Sequence, residues 1–294
     1  MVQIAIRISS KAPPNYTRRR RIWHMFAQEA DVWEHRFLNV MKVYFRKVRH
    51  DVTERLREAG PSIEGQYRGW SRRKVEEHIA RKAKWDRINI DPDAEAKTLY
   101  RLFDPLLIMT MERRGGEFVN AQLGTNIVFN VNDPAVKNYI GNRLAMFSKS
   151  VANTTFDEIN ATLRTGFTEG MSLSTIADTL RQRFESFEKY RAPLIARTET
   201  ISALNKTDLL AIKQAKLEDR LVKAWLTAGD EAVRDTHAQA GIEYSARPIA
   251  IEAVFKVGKD VMQAPGLGSR AEENVNCRCT VEYIKRAGKR PGVH

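Results

Sequence analysis

The chain has 294 residues, of which 43% are hydrophobic and 9% aromatic. This composition excludes a disordered protein and allows one or two domains with buried cores. The net charge is +13, and the first ninety residues carry most of it, with 21 lysines and arginines against 10 acidic residues. The sequence contains two cysteines, Cys277 and Cys279, which excludes a framework of several disulfides. Because no run of about eighteen apolar residues occurs, no membrane segment is predicted.

Residues 1–30 are predicted to form a basic N-terminal arm. Hydrophobic residues alternate with other residues through positions 2–8, which indicates a short strand or a segment that adds to a neighbour's sheet. The prolines at positions 13 and 14 end this alternation, and four consecutive arginines follow at positions 18–21.

Helical periodicity predominates from residue 31 to about residue 215. Apolar side chains recur every three or four positions from Asp31 to Glu58, and Gly60-Pro61 is predicted to end this first helix. Cap and stop residues delimit the other predicted helices, which cover residues 71–87, 91–114, 134–166, 172–184 and 190–213.

Beyond residue 215 the pattern changes to short strands and turns. Alternation predicts strands at 222–228, 253–257 and 279–284, with a short helix at 230–240. We therefore predict an α+β fold, in which predominantly helical N-terminal two-thirds precede a small α+β module with a short antiparallel sheet of about three strands. The last residues, 286–294, are predicted to be a flexible tail.

Three groups of residues occur in a fixed order in the C-terminal part. The residues that carry this pattern are Arg197, Thr198, Glu199, Asn205, Trp225, Arg234, Asn276 and Arg278. The ordered set, closing on Asn276-Cys277-Arg278-Cys279, resembles the Mu F-like head-morphogenesis family. Members of that family are minor capsid proteins of tailed bacteriophages, encoded beside the portal.

The resemblance implies a structural minor capsid protein rather than an enzyme, acting with the portal in head morphogenesis and in DNA packaging or ejection. It implies a head morphogenesis module at 171–285, which we expect to fold independently, after a helical region at 31–170 that contacts the portal, the scaffold or DNA. The implied partners are the portal protein, the scaffold or major capsid protein, and packaged DNA. The implied location is the virion head, assembled in the host cytoplasm. Some members carry a further toxin or ADP-ribosyltransferase domain, for which we expect no room after Lys285.

His237, Cys277 and Cys279 are candidate zinc ligands, with Asp230 as a possible fourth. Asp230, Arg234 and His237 are spaced by four and three residues, so a helix would place them on one face, where Asp230 could pair with Arg234 and His237 could face the cysteines. The C-x-C spacing differs from the usual C-x₂₋₄-C of zinc sites. The alternative is a pair of small buried thiols with a locally hydrogen-bonded histidine. No other cofactor is predicted.

Two further interpretations concern charged residues. The triplet Arg197-Thr198-Glu199 could pair with the module's own strands or contact a partner. The basic N-terminal third favours nucleic acid or an acidic protein partner, and the candidate contacts are Arg18, Arg19, Arg20, Arg21, Arg46, Lys47, Arg49, Arg72, Arg73 and Lys74.

Two alternative functions stay open at this point. One is a metal-dependent, nuclease-like enzyme that uses His237, Asp230, Asn276 and the cysteines. The other is a plain nonspecific DNA-binding protein whose contacts lie in residues 1–90.

Overall fold

A computed structural model describes residues 16–67, 69–71, 73, 74, 77 and 88–286. The helices are α1 (Tyr16–Tyr67), α2 (Pro92–Arg114), α3 (Glu117–Leu123), α4 (Pro134–Thr168), α5 (Leu173–Ser186), α6 (Ala192–Gln214), α7 (Asp235–Ala246) and α8 (Ala271–Asn274). The strands are β1 (Leu221–Leu226), β2 (Ile249–Ala250), β3 (Phe255–Val257), β4 (Asp260–Met262) and β5 (Thr280–Lys285). A π-helical turn, Phe187–Arg191, joins α5 to α6, and a 3₁₀ turn, Glu218–Arg220, precedes β1.

The chain divides into two compact units, each built from segments that are separated in the sequence. The helical unit comprises residues 33–113 and 130–203. Of the described residues, the mixed unit combines 16–32, 114–129 and 204–286. We expected the C-terminal module to fold by itself, but the unit that holds the sheet also includes the start of α1 and the segment around α3. The four consecutive domains predicted from the sequence stay a prediction.

The helical unit has an aromatic core built on the predicted periodicity of α1. Trp33, Phe37 and Tyr44 are all buried, as the spacing predicts. The Phe103 ring lies 5.4 Å from that of Phe37 and 4.7 Å from that of Phe147, measured between centroids. These contacts fix the faces of α1, α2 and α4 that turn inward.

Helices α4 and α5 of this unit begin at side-chain caps and approach closely. Asp133 accepts a hydrogen bond from the Ala135 N–H at 2.8 Å, and Ser172 accepts one from the Thr175 N–H at 3.2 Å. At Gly166 a Cβ atom would lie 2.5 Å from Cγ1 of Ile176. The close packing of the two helices therefore requires glycine at this position.

The mixed unit contains an antiparallel sheet of strand order β2-β1-β5 and a separate β3–β4 hairpin. In the β1–β5 pair Trp225 lies opposite Val281. The Phe255 ring of β3 lies 5.3 Å from Trp225 and 4.8 Å from Tyr244 of α7, between centroids. These three buried aromatic residues form the centre of a core that the sheet, the hairpin and α7 share.

The predicted fold class is confirmed, with helices predominating before a small antiparallel sheet. Three local predictions were wrong. Helix α1 starts at Tyr16, within the predicted arm, and continues past Gly60 and Pro61 to Tyr67. A proline has a helical φ and here removes one backbone hydrogen bond without ending the helix. The predicted strand at 253–257 pairs in the hairpin rather than in the main sheet, whose third strand is β2. The helix predicted to begin at Asp230 begins at Asp235.

The strand predicted at residues 2–8 and the flexible tail beyond residue 286 lie outside the described residues, as does most of the predicted helix at 71–87. Among the helices of the described ranges, none has the length and apolarity needed to cross a membrane.

Candidate metal centre

Helix α7 places His237 in the core of the mixed unit. Arg234 occupies the N-cap position in an extended conformation, and the preceding residues form a turn in which the Val233 N–H donates to the Asp230 carbonyl. His237 lies in the first turn of the helix and is 1% exposed. Its ring packs edge-on against Trp225, with the ring centroids 5.3 Å apart. The imidazole is therefore held between α7 and β1.

The two cysteines approach one ring nitrogen of this histidine. Nδ1 of His237 lies 3.7 Å from Sγ of Cys277 and 3.4 Å from Sγ of Cys279. Both thiols are 2% exposed. Asn276 has a left-handed backbone, with φ of 59°, and the Cys279 N–H donates to Sγ of Cys277 at 3.3 Å. This turn directs both sulfur atoms to the same side, toward His237.

Glu273 lies at the other ring nitrogen. Its Oε2 is 3.2 Å from Nε2 of His237 and accepts a hydrogen bond from Oγ1 of Thr236 at 2.8 Å. Gly258 has φ of +57° and makes room for this carboxylate, since a Cβ atom there would lie 2.0 Å from Oε1 of Glu273. The buried carboxylate therefore lies beside the imidazole, although Nε2 makes no hydrogen bond to it in this structure.

The pKa values of the two thiols are shifted in opposite directions. A hydrogen bond between the cysteine side chains, followed by the hydrogen bond to His237, lowers the pKa of Cys277 to about 5. Burial, followed by the Cys277 side chain, raises the pKa of Cys279 well above the usual value of a thiol. Cys277 is thus the more acidic thiol of the pair.

Asp230 lies apart from this cluster. The group whose ligand atoms lie within 4.8 Å of one another, among the described residues, contains His237, Cys277 and Cys279. The Asp230 carboxylate instead accepts two hydrogen bonds from the Arg278 guanidinium, at 2.8 and 2.6 Å, and these lower its pKa. The predicted Asp230–Arg234 pair is wrong, because Asp230 precedes the helix and Arg234 donates to the Val275 carbonyl.

Two further motif residues, Asn205 and Trp225, belong to the core of the mixed unit. Asn205 donates to the carbonyls of Pro265 and Cys279, at 3.0 and 3.2 Å, and accepts from Thr280 Oγ1 at 2.9 Å. It therefore links α6 to the loop before α8 and to the start of β5. Trp225, a further motif residue, is fully buried.

The triplet Arg197-Thr198-Glu199 pairs within the helical unit rather than with the strands. Arg197 binds Glu34 of α1 through contacts of 3.0 and 2.8 Å. Glu199 binds Arg143 of α4 through two contacts of 2.8 Å, and Thr198 donates to the Leu194 carbonyl. These contacts are structural ion pairs that join three helices.

Most of the basic residues predicted to contact nucleic acid or a partner bind acidic residues of the chain. Arg18 and Arg19 pair with the buried Glu282, and Arg19 also donates to the Trp225 carbonyl. The others that pair in this way are Arg46 and Arg49 with Glu188, Lys47 with Asp51 and Glu95, and Arg73 with Glu77.

Three of these basic residues have no acidic partner among the ion pairs of the described residues. Lys74 lies over the Trp70 ring, 4.3 Å from its centroid, and Arg20 and Arg21 are exposed on α1. Arg72 lies outside the described residues.

Sequence reasoning missed Glu273, which lies in a short polar run, Ala271–Asn274, with no apolar periodicity. It also missed the buried ions Arg114, Asp208 and Lys223, whose charge indicates exposure unless the fold is known. One signal was available: Glu273 precedes the Asn276-Cys277-Arg278-Cys279 motif by three residues.

Comparison with known proteins identifies one family and one curated relative. The family described as Phage Mu protein F like protein matches residues 157–282. The relative is an NAD(+)--arginine ADP-ribosyltransferase EFV of Enterococcus faecalis (strain ATCC 700802 / V583), 29% identical over 151 residues. That alignment covers 51% of this chain and 29% of the relative's length. No solved structure matches the chain.

The match to the family includes the whole set of motif residues from Arg197 to Arg278. It also includes α7 and the two cysteines that form the buried cluster. Residues 157–282 are accordingly a Mu F-like region, as the ordered motifs predict.

Proposed function

We propose that this protein is a minor capsid component of a tailed bacteriophage head that acts in head morphogenesis together with the portal. The family match over residues 157–282 carries the proposal. The positions that define the motif support a structural role, because Asn205, Trp225 and the two cysteines are buried and tie elements of the mixed unit together.

The same burial argues against catalysis at the motif. A nucleophile or a catalytic metal needs a path for substrate, whereas His237, Cys277 and Cys279 are at most 2% exposed. Asp230, which the nuclease hypothesis requires, is bound by Arg278 outside the cluster. The activity in the relative's name is not transferred to this chain, because the alignment covers 29% of that protein.

Charge supports contacts in the head. The chain carries +13 net charge, and a basic protein enclosed with packaged DNA is attracted to it through counterion release. The exposed Arg20 and Arg21 on α1 are the contacts that we assign to DNA, because Arg18 and Arg19 bind Glu282. Packaging or ejection of DNA is the step at which such contacts act.

The test is mass spectrometry of heads purified by density gradient from cells that produce the phage encoding this chain. We expect the protein in full heads and also in empty heads, which retain the portal but hold no genome. Presence in full heads alone would identify DNA as the main contact. Absence from both classes of head and from isolated portal complexes would overturn the proposal.

A nuclease assay tests the alternative hypothesis that the protein is a metal-dependent nuclease. Purified wild-type protein and the His237→Asn variant are incubated with supercoiled plasmid and Mg²⁺ or Mn²⁺. We expect no cleavage by either protein. Metal-dependent nicking by the wild type that the variant lacks would support the enzyme and contradict the structural role.

A further inference from the structure

We propose that His237, Cys277 and Cys279 bind one zinc ion, and that Glu273 orients the histidine ligand. The site lies wholly within the mixed unit, and the proposal does not rest on the proposed place of the protein in a phage head. Its residues come from α7, from the turn before β5 and from α8.

The distances agree with zinc coordination. Zinc–sulfur bonds of about 2.3 Å and zinc–nitrogen bonds of about 2.0–2.1 Å, set at tetrahedral angles, place the nitrogen and sulfur ligands about 3.5 Å apart. The observed separations from Nδ1 of His237 are 3.4 Å to Cys279 and 3.7 Å to Cys277. These two separations are those expected of three ligands that share one tetrahedral zinc ion.

Charge also favours a divalent cation at this place. Two thiolates neutralise the ion, so the loaded site carries no net charge from the metal and its sulfur ligands. Without a metal, two thiols and an imidazole are packed into a core with weak hydrogen bonds. The Cys279 N–H that points at Cys277 Sγ, at 3.3 Å, is a contact suited to a metal-bound thiolate.

Glu273 lies where it could supply the outer interaction that zinc-bound histidines generally have. A ligating histidine donates its second ring N–H to a carboxylate, which sets the tautomer and raises the basicity of the ligating nitrogen. Here Oε2 of Glu273 is 3.2 Å from Nε2 of His237 but makes no hydrogen bond to it in this structure, so a small rotation of the ring or the carboxylate would complete the interaction while Nδ1 faces the sulfur atoms. Thr236 holds the same carboxylate oxygen at 2.8 Å. Glu273 is thus a positioning residue rather than a ligand.

Ligand chemistry selects zinc among the common metals. Two soft thiolates with one imidazole disfavour magnesium and calcium, which prefer oxygen ligands. The other uses of the cluster fit less well. A disulfide between residues two apart on an extended chain is strained. A cysteine nucleophile paired with His237 and Glu273 lacks access to substrate at 2% exposure.

Three protein ligands leave one position of the tetrahedron. Among the described residues no fourth histidine, cysteine or carboxylate has its ligand atom within the cluster, so the proposal assigns three protein ligands. The ion would join α7 to the chain before β5, across 40 and 42 residues of sequence. It would thereby fix the segment that contains the β3–β4 hairpin.

The experiment uses the full chain, purified with a reductant and without added metal or chelator. We expect close to one zinc per chain by elemental analysis. After the zinc is removed, Co²⁺ should restore the site and give a sulfur-to-cobalt charge-transfer band with the intense visible bands of tetrahedral cobalt. Zinc should displace the cobalt spectrum stoichiometrically.

Variants locate the ion. Cys277→Ser, Cys279→Ser and His237→Asn should abolish the cobalt spectrum, and Glu273→Gln should retain it with a zinc affinity about 10- to 100-fold weaker. The matched control is His50→Asn, at an exposed histidine of α1, which should bind as the wild type does.

The wild-type measurement decides the matter even if a variant fails to fold. Reduced wild-type protein that alkylates at both thiols, contains no zinc and gives no cobalt spectrum would overturn the proposal. Full metal content in the folded Cys277→Ser/Cys279→Ser double variant would overturn it as well.

Discussion

Arg114 and Asp208 form a fully buried, bidentate ion pair in the mixed unit. Their contacts, Nε to Oδ1 and Nη2 to Oδ2, are both 2.8 Å, and both side chains are 0% exposed. The guanidinium also binds Glu29 of α1 and lies 3.7 Å from the centroid of the Phe118 ring. One arginine at the end of α2 therefore joins the start of α1 to α6, segments that lie far apart in the sequence.

The first prediction concerns this pair. Asp208→Asn removes the carboxylate charge that pairs with Arg114 and leaves the guanidinium buried. Removing one partner of a buried ion pair lowers the free energy of unfolding by about 3–5 kcal/mol. Urea unfolding followed by circular dichroism measures the change. The double variant Arg114→Met/Asp208→Leu removes both charges and should lose less than the single variant. A loss below about 1 kcal/mol in Asp208→Asn would show that the pair is not buried as described.

The second prediction concerns the buried Lys223 of β1. Its ammonium donates to the Gln263 carbonyl at 2.6 Å, and burial lowers its pKa to about 8. The unfolded chain therefore binds a proton more tightly than the folded chain between pH 8 and about 10.4, the usual lysine value. Over that window the contribution of Lys223 to stability should increase with pH, by up to about 3 kcal/mol.

The measurement for Lys223 is a comparison with Lys223→Met at several pH values. Because both proteins contain the same cysteines and tyrosines, subtracting their free energies of unfolding removes the titration of those groups. The free energy of unfolding of the wild type should increase relative to that of the variant as the pH rises above 8. A difference that stays constant from pH 7 to 10 would contradict the assigned burial of the ammonium.

The third prediction tests the structural role of the motif residue Asn205. Asn205→Ala removes three buried hydrogen bonds and leaves the Pro265 and Cys279 carbonyls without this donor, which should cost about 2–4 kcal/mol in total. Thermal unfolding measures the loss. Asn153→Ala, at an exposed position of α4, is the control and should change stability by about 0.5 kcal/mol at most. Equal effects of the two variants would argue that Asn205 serves a partner instead.

The fourth prediction separates two neighbouring pairs of arginines on α1. Arg18→Ala/Arg19→Ala should lower stability, because Glu282, 2% exposed, loses its guanidinium partners. Arg20→Glu/Arg21→Glu should leave stability nearly unchanged and weaken binding to duplex DNA.

Salt dependence measures how these two variants bind DNA. In a plot of the logarithm of the binding constant against the logarithm of salt concentration, the slope changes by about 0.9 for each phosphate that the protein no longer neutralises. The Arg20→Glu/Arg21→Glu variant should have the shallower slope. Identical slopes for this variant and the wild type would remove DNA as the partner of these residues.

Much of the fold could be predicted because the relevant signals are local. The spacing of Trp33, Phe37 and Tyr44 identified the buried face of α1, and alternation around Trp225 identified β1. The ends of α1 could not be predicted in this way. At the C-terminal end, a single proline removes one hydrogen bond and does not by itself end a helix. At the N-terminal end, Arg18 and Arg19 are helical and bind Glu282, a tertiary contact that the local pattern does not indicate.

The candidate metal site could be predicted in part because the chain contains few cysteines. With two cysteines in the sequence, a histidine facing both was a simple expectation, and the structure places His237 there. Glu273 could not be identified, because its carboxylate reaches His237 through a tertiary contact between residues with no shared periodicity. Asp230 was misassigned for the same reason, since its partner Arg278 is 48 residues away.

The central claim, that this protein is a component of a phage head, is tested most directly by interrupting its reading frame in the phage that encodes it. A stop codon should leave coat and portal proteins in the lysate but reduce the infectious particles per head, and wild-type protein supplied in trans should restore them. Unchanged infectivity and head morphology in the interrupted phage would contradict the claim.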